Sequence, residues 1–197
     1  MAFRRFLVSG LLSVAGLCFL LLISSSASAA TLNVSGGQLL GASGVIVDGS
    51  SYNVEFLDGT CIALYSGCDD VSDFTFQTSA AALLASNALL DQVFQDGANL
   101  FDSDPELTAG CTSLTQCGVR TPYGFSSGLV LVVTTLNRAP PLGDGRFIAG
   151  YPGGEDLAGD PLKVYAVWAP VPEPGTAVLM GLGLLAMGAR GHRARRY

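Results

Sequence analysis

Apolar and polar residues alternate between residues 51 and 57 in the manner of a half-buried β-strand. Tyr52, Val54 and Phe56 alternate with polar neighbours, which places them on one face of the strand. The turn-forming pair Asp48-Gly49 separates this strand from an apolar run before it, which is typical of a tight β-hairpin. The predicted strands of this region are 32–34, 38–40, 44–47 and 51–57.

The apolar period changes to that of an α-helix between residues 79 and 95. Ser79 is a favourable N-cap residue, and the pair Asp96-Gly97 ends the predicted helix. The apolar residues that define one face of this helix are Leu83, Leu84, Leu90, Val93 and Phe94.

The second half of the chain has weaker periodicity. The cysteine-containing segment 99–121 and the segment 138–161, which is rich in proline and glycine, are predicted to be loops. Further strands are predicted at 73–76, 129–136 and 162–168. The predicted fold class is therefore α+β, a small mostly antiparallel sheet domain with one main helix.

The first 29 residues have the order of a secretory signal peptide. Two arginines form a positive start, the apolar run 6–23 follows, and Ala27 and Ala29 form an A-x-A cleavage site. We expect the mature chain to begin at Ala30. Because the apolar run is long, an uncleaved signal anchor is the alternative.

The C-terminus combines a rigid motif, an apolar run and a basic end. In Pro172-Glu173-Pro174 each proline fixes φ and disfavours helix in the residue before it, so the segment is expected to be extended and exposed. The uncharged run 175–189 is predicted to be a transmembrane helix of about 22 Å, which is short for a hydrocarbon core of about 30 Å. A buried C-terminal helix of a soluble domain is the alternative, but a basic cluster fits a cytoplasmic stop better. The residues of this membrane stop are Arg190, Arg193, Arg195 and Arg196.

This order of motif, apolar span and basic end resembles the sorting tail of the PEP-CTERM family of exported bacterial proteins, over residues 171–196. In that family an exosortase, an integral-membrane cysteine transpeptidase, recognises the Pro-Glu-Pro segment and removes the helix. The resemblance implies that Pro172, Glu173 and Pro174 are the recognition residues. It also implies surface polysaccharide or biofilm matrix as a partner, because family members commonly accompany exopolysaccharide production. His192 interrupts the arginine cluster, which is a minor departure.

The charges divide the chain into basic ends and an acidic middle. Residues 31–170 include 15 acidic and four basic residues, a net charge of −11. The other basic residues lie at the two ends that would face the cytoplasm, so the middle is expected outside the inner membrane. An acidic domain repels phosphate backbones, which argues against nucleic acid as a partner. The predicted organisation is a signal peptide at 1–29, an exported domain at 30–170 and a sorting tail at 171–197.

Four cysteines remain after the signal peptide, and an exported chain is expected to pair them as two disulfides. Of the three connectivities, the local pairs Cys61–Cys68 and Cys111–Cys117 are favoured. The spacings miss the C-x2-4-C pattern of zinc sites, and the compartment favours oxidation, so no metal site is predicted.

Histidine provides the main argument against familiar catalytic sites. The only one is His192 in the basic tail, so the exported domain has no Ser-His-Asp or Cys-His pair. A Ser-Lys pair would need Lys163, the only lysine, which a solvated place at a strand edge explains better. No catalytic residue and no cofactor is therefore predicted.

Carboxylates and aromatic residues are the remaining candidates for chemistry. A glycosidase needs two carboxylates and a calcium site needs several oxygens, but neither signature is complete, so solvated acids or helix caps fit better. The acidic clusters are Asp69, Asp70 and Asp73; Asp102, Asp104 and Glu106; and Asp144, Glu155, Asp156 and Asp160. An aromatic sugar platform competes with core packing, which is favoured, for Phe147, Tyr151, Tyr165 and Trp168.

Together these features predict a non-enzymatic, exported surface or matrix protein. The C-terminal helix would hold it in the inner membrane until an exosortase processes it. The predicted partners are the exosortase, the secretion machinery, the membrane and surface polysaccharide. The alternatives are a secreted carboxylate-dependent enzyme, such as a glycosidase, and a calcium-stabilised adhesion module.

Overall fold

The computed structural model describes residues 29–172 and residue 175. Within them, short 3-10 turns occur at Val71–Asp73 and Pro105–Leu107. The strands and helices are β1 (Thr31–Ser35), β2 (Gln38–Val47), β3 (Ser50–Leu57), α1 (Cys61–Leu64), α2 (Ser79–Gln92), β4 (Gln116–Ser126), β5 (Leu129–Arg138), β6 (Gly145–Pro152) and β7 (Lys163–Pro170).

The strands form one sheet in the order β1-β2-β3-β7-β4-β5-β6. Neighbouring strands are antiparallel except β4 and β7, which are parallel. The last strand in the sequence therefore lies in the centre of the sheet. The predicted α+β class, with a mostly antiparallel sheet and one main helix, is confirmed for the described part of the chain.

Helix α2 packs on one face of the sheet and forms the larger core with it. Val54 and Phe56 of β3 and Trp168 of β7 contribute to this core, as do Ala85 and Leu89 of α2. The alternation in β3 that predicted a buried and a solvated face is thus confirmed.

A second core covers the opposite face of the central strands. It lies beneath the loops 59–76 and 153–162 and contains Tyr165 of β7 and Leu157 of the second loop. The same face stays open over β3, where Glu55 is exposed. This face of the sheet is therefore apolar where the two loops cover it and polar over β3, where no loop covers it.

Both predicted disulfides form. Cys61 and Cys68 are joined within the second core, and Cys111 and Cys117 are joined within the larger core. Each closes a short loop, with separations of 7 and 6 residues, which corresponds to about 2–2.5 kcal/mol of stabilisation on the chain-entropy account.

Two strands lie in segments that were predicted to be loops. β4 begins at Gln116, inside the segment 99–121, and β6 occupies much of the segment 138–161. β4 lies between β7 and β5 and is buried on both faces, so its residues do not alternate. β6 is an edge strand with mostly exposed residues, so no buried face marks it in the sequence.

Two local predictions need correction. The strand predicted at 73–76 is wrong, because Asp73 belongs to a 3-10 turn whose capping hydrogen bonds fix that conformation. Helix α2 begins at Ser79 as predicted, but its N-cap is Thr78, whose hydroxyl accepts a hydrogen bond from the Ala81 amide at 3.1 Å. The helix ends at Gln92 rather than at residue 95. The apolar face predicted for it is wrong in part, because Leu83 and Leu84 are exposed and the smaller Ala82, Ala85 and Ala88 are buried with Leu89.

Candidate functional site

The C-terminal tail leaves the domain directly from the central strand β7. β7 ends at Pro170, and the amide of Val171 still donates a hydrogen bond to the carbonyl oxygen of Ser51 in β3, at 2.9 Å. Pro172 is exposed. The segment predicted to be recognised therefore begins one residue after the last hydrogen bond of the sheet.

The topology places the start of the described chain at the same end of the sheet. We call the end where β7 finishes at Pro170 and β3 begins at Ser50 the exit end. β2 also ends here, since Val47 pairs with Ser50. β1 runs antiparallel to β2, so it starts on the side of the exit end, with Thr31 opposite Ser43. The predicted signal cleavage and the predicted sorting segment thus lie towards one end of the domain.

Residues 170–196 match the model of the PEP-CTERM protein-sorting motif. The chain carries a PEP-CTERM sorting motif. Such a motif indicates an exported protein that an exosortase sorts at the membrane. No curated protein and no solved structure matches the chain.

Most residues of the PEP-CTERM tail and of the predicted signal peptide lie outside the described residues. They include Glu173, Pro174, Ala27 and the arginines Arg190, Arg193, Arg195 and Arg196, together with His192. Ala29 is described and lies two residues before β1. Among the described residues, no helix has the length and apolar character needed to cross a membrane.

The first acidic cluster shapes the local backbone. The carboxylate of Asp70 accepts hydrogen bonds from the amide and the hydroxyl of Ser72, at 2.8 and 2.7 Å, and these bonds hold the pKa of Asp70 below its usual range. Asp73 accepts from the amides of Asp69 and Asp70, at 3.1 and 3.2 Å. These acids therefore cap a 3-10 turn, in agreement with the helix-cap interpretation.

The second cluster is rearranged by the fold. Asp102 lies beside Asp144 and near Asp96, and burial together with the Asp144 carboxyl raises the pKa of Asp102. Asp96 accepts hydrogen bonds from the amides of Asp102 and Ser103, at 3.0 and 3.1 Å, and hydrogen bonds from Ser103 lower its pKa. Among the described residues, no group of three or more His, Cys, Asp or Glu side chains is arranged to hold a metal ion.

The acids of the segment 138–161 divide among different places, with Asp144 beside Asp102, Glu155 at Arg120, and Asp156 and Asp160 near Asp58. Asp144 accepts a hydrogen bond from the Arg138 amide, at 2.8 Å. Asp58, which belonged to no predicted cluster, has its pKa raised by burial and by the charges of Asp156 and Asp160. The Asp160 carboxylate also accepts a hydrogen bond from Lys163.

The predicted edge position of Lys163 is wrong. Lys163 begins the central strand β7, and its ammonium group lies 3.1 Å from the Asp160 carboxylate. Burial raises the pKa of Asp160, but hydrogen bonds from the Leu162 amide and from Lys163 lower it overall. Lys163 therefore forms an ion pair with Asp160, the acid three residues before it.

Arg120 is the polar residue that sequence reasoning missed. Its side chain is fully buried, and its Nη1 atom lies 2.9 Å from a carboxylate oxygen of Glu155. Its guanidinium carbon lies 3.6 Å from the ring centre of Tyr151 and 5.9 Å from that of Tyr165. Arg120 lies in β4 between Val119 and Thr121, and no local sequence pattern distinguishes it from an arginine that is exposed to solvent.

The four aromatic residues do not form a sugar platform. Trp168 and Tyr165 belong to the two cores, and the Trp168 indole nitrogen donates to the Thr121 hydroxyl at 3.3 Å. Tyr151 covers Arg120, while Phe147 is exposed on the edge strand β6. Core packing, the favoured interpretation of Trp168, is confirmed.

A cavity of about 350 Å³ lies on the open side of β1–β3. Glu55 is the charged residue of its lining and has no ion-pair partner among the described residues. The lining residues are Asn33, Leu40, Glu55, Phe56 and Leu57.

Proposed function

We propose that this chain is a non-enzymatic exported protein of the cell surface or extracellular matrix. The signal peptide 1–29 directs export, and the helix 175–189 holds the chain in the inner membrane with the domain outside. An exosortase then processes the chain at Pro172-Glu173-Pro174. Surface polysaccharide is the proposed partner of the domain after processing.

The observation that carries this proposal is the direct connection between the sorting motif and a finished domain. The amide of Val171 is still hydrogen-bonded to the carbonyl oxygen of Ser51, and Pro172, the next residue, is exposed. The disulfides suit an oxidising compartment outside the cytoplasm. These features support a folded domain that is delivered to the membrane as one unit.

A non-enzymatic role is supported by the contacts of the acidic residues. Asp70 and Asp73 accept backbone hydrogen bonds, and Glu155 neutralises Arg120. Carboxylates held in this way serve the fold, and they do not present a free pair to a substrate.

A secreted glycosidase is the second candidate, and Asp102 with Asp144 is the observation that favours it. Two acids from separate loops meet, and the pKa of one is raised by burial and by its neighbour. However, the Asp144 carboxylate also accepts a hydrogen bond from the Arg138 amide, so it holds the local backbone as the other acids do. The pair therefore supports the enzyme less well than the sorted surface protein.

Mass spectrometry of both termini of the chain from its native host tests the proposal. We expect a chain that starts near Ala30 and ends near Pro172–Pro174, in material outside the inner membrane. Glu173→Ala should leave the tail intact, whereas Glu55→Ala, an exposed carboxylate elsewhere in the domain, should be processed normally. An intact tail ending at Tyr197 in the inner membrane of the unsubstituted chain would overturn the proposal.

A further inference from the structure

The exit end of the sheet must lie close to the bilayer while the tail is intact. Three peptide units separate Pro172 from residue 175, where the proposed membrane helix begins, and they span about 11 Å at full extension. This step rests on the proposed function, because it takes the helix 175–189 as the anchor. Side chains at the exit end therefore face the lipid surface at short range.

The hairpin between β4 and β5 points towards the exit end. β4 runs parallel to β7, with Arg120 opposite Tyr165. Beyond this pair the two strands separate, since the carbonyl oxygens of Ala166 and Trp168 accept hydrogen bonds from the side chains of Tyr65 and Thr75 instead. Both strands still run towards the exit end. Ser127 and Gly128 form the tip with positive φ values of 54° and 80°, as the tight turns of two-residue hairpins require.

The chemistry of this hairpin fits a lipid interface. No charged residue occurs between residues 121 and 137. Phe125 and Leu129 flank the tip, and each is 37% exposed. Phe125 pairs with Val130 and Leu129 with Ser126, so the two side chains lie on opposite faces of the hairpin. A single exposed apolar side chain is ordinary on a soluble protein, but here two of them flank an uncharged tip that points to the end of the domain from which the anchored tail leaves.

The charges of the domain provide no other attraction to a membrane. Three of the four basic residues of the domain lie at the end of the sheet opposite the exit end, namely Arg138, Arg146 and Lys163. The fourth, Arg120, is buried. Asp48, in the other hairpin turn at the exit end, is exposed and disfavours contact with anionic lipid on its side. The contact is therefore apolar, and the tail supplies the high local concentration that it needs.

We propose that the tip of the β4–β5 hairpin, with Phe125 and Leu129, inserts into the interfacial layer of the bilayer while the tail anchors the chain. The insertion orients the domain on the membrane around the tail. It ends when the tail is removed, because the acidic domain by itself has no attraction to an anionic surface.

Quenching of a single tryptophan by brominated lipids tests this contact. The chain is purified from the host membrane with its tail intact and reconstituted into phosphatidylcholine vesicles with phosphatidylglycerol. Trp168→Phe removes the natural tryptophan, and Phe125→Trp places a reporter at the tip. The matched control is Leu142→Trp, because Leu142 is 57% exposed in the β5–β6 turn at the opposite end of the sheet. We expect several-fold stronger quenching in F125W than in L142W.

Two further measurements keep the test decisive. If Trp168→Phe fails to fold, both reporters are compared with Trp168 retained, and the quenching of the unsubstituted chain serves as the baseline. Vesicle flotation is measured on the same samples. A chain that does not float contradicts the anchor and so the proposed function, whereas a chain that floats with equal quenching in F125W and L142W overturns only the insertion of the hairpin.

Discussion

The Nη1 atom of Arg120 lies 2.9 Å from Oε2 of Glu155 and ties the buried centre of the sheet to the loop 153–162. The second guanidinium nitrogen lies 3.3 Å from the other carboxylate oxygen, so the pair is bidentate. This loop covers the second core, which contains Leu157. The ion pair therefore fixes the layer that shields one face of the central strands.

Removal of the Glu155 charge should destabilise the domain substantially. Glu155→Gln leaves the buried Arg120 charge uncompensated, and we expect the free energy of unfolding to fall by about 2–3 kcal/mol. The effect is smaller than in a fully buried pair because the Glu155 side chain is 30% exposed. Urea unfolding of the oxidised protein measures it. Asp160→Asn, which breaks the more exposed pair with Lys163, is the control and should cost about 1 kcal/mol or less. Equal losses in the two variants would contradict a special role of the buried pair.

The stability of the domain should depend on pH through Asp102. Burial and the neighbouring Asp144 raise the pKa of Asp102 in the folded state. The folded state therefore binds the proton of the Asp102 carboxyl more tightly than the unfolded chain does. This stabilises the fold fully below the unfolded pKa of about 3.9, and the stabilisation is lost as the pH rises through the pKa of the folded state. We expect Asp102→Asn to reduce this loss in urea unfolding series from about pH 4 upwards. Asp104→Asn is the control, and the same pH slope in both variants would show that Asp102 is not responsible.

The two disulfides should contribute separately to stability. Cys61 and Cys68 lie in the second core, whereas Cys111 and Cys117 lie in the larger core. Replacement of either pair by serine should lower the free energy of unfolding by about 2–2.5 kcal/mol, and replacement of both should give approximately the sum. Thermal unfolding with and without reductant checks this, since a reductant should no longer affect the variant that lacks both pairs. A variant pair whose removal changes nothing would show that its bridge does not form in the host.

The distance between the domain and the sorting motif should limit processing. Val171 is still hydrogen-bonded to Ser51, so the exosortase must act close to the exit end of a folded sheet. Insertion of Gly-Ser-Gly-Ser between Val171 and Pro172 moves the motif away from the sheet, and we expect tail removal to become several-fold faster in pulse-chase labelling. The same insertion after Leu142, in a turn at the opposite end, should leave the rate unchanged. A slower rate after the first insertion would indicate that the exosortase uses the domain as part of its recognition surface.

The sequence by itself determined the features that depend on local chemistry. The alternation around Val54 identified the β2–β3 hairpin. The helix after Ser79 was identified as an element, but its buried face was not, because small residues such as Ala85 form it and Leu84 is exposed. The local pairing of the cysteines was correct because each pair closes a short loop. The sorting motif could be recognised in the sequence because it is defined by the order of Pro172 and its neighbours, an apolar run and a basic end. Recognition of this order requires no tertiary contact.

Only the tertiary structure decided which residues meet across the sheet. β4 was missed because burial on both faces removes the alternation that identifies a strand, and β6 was missed because an edge strand has few buried positions. Arg120 and Glu155 are 35 residues apart in the chain, and nothing local indicates that they pair. The position of β7 in the centre of the sheet, which brings the tail and the β4–β5 hairpin to one end, follows from long-range strand pairing, which no local sequence pattern encodes.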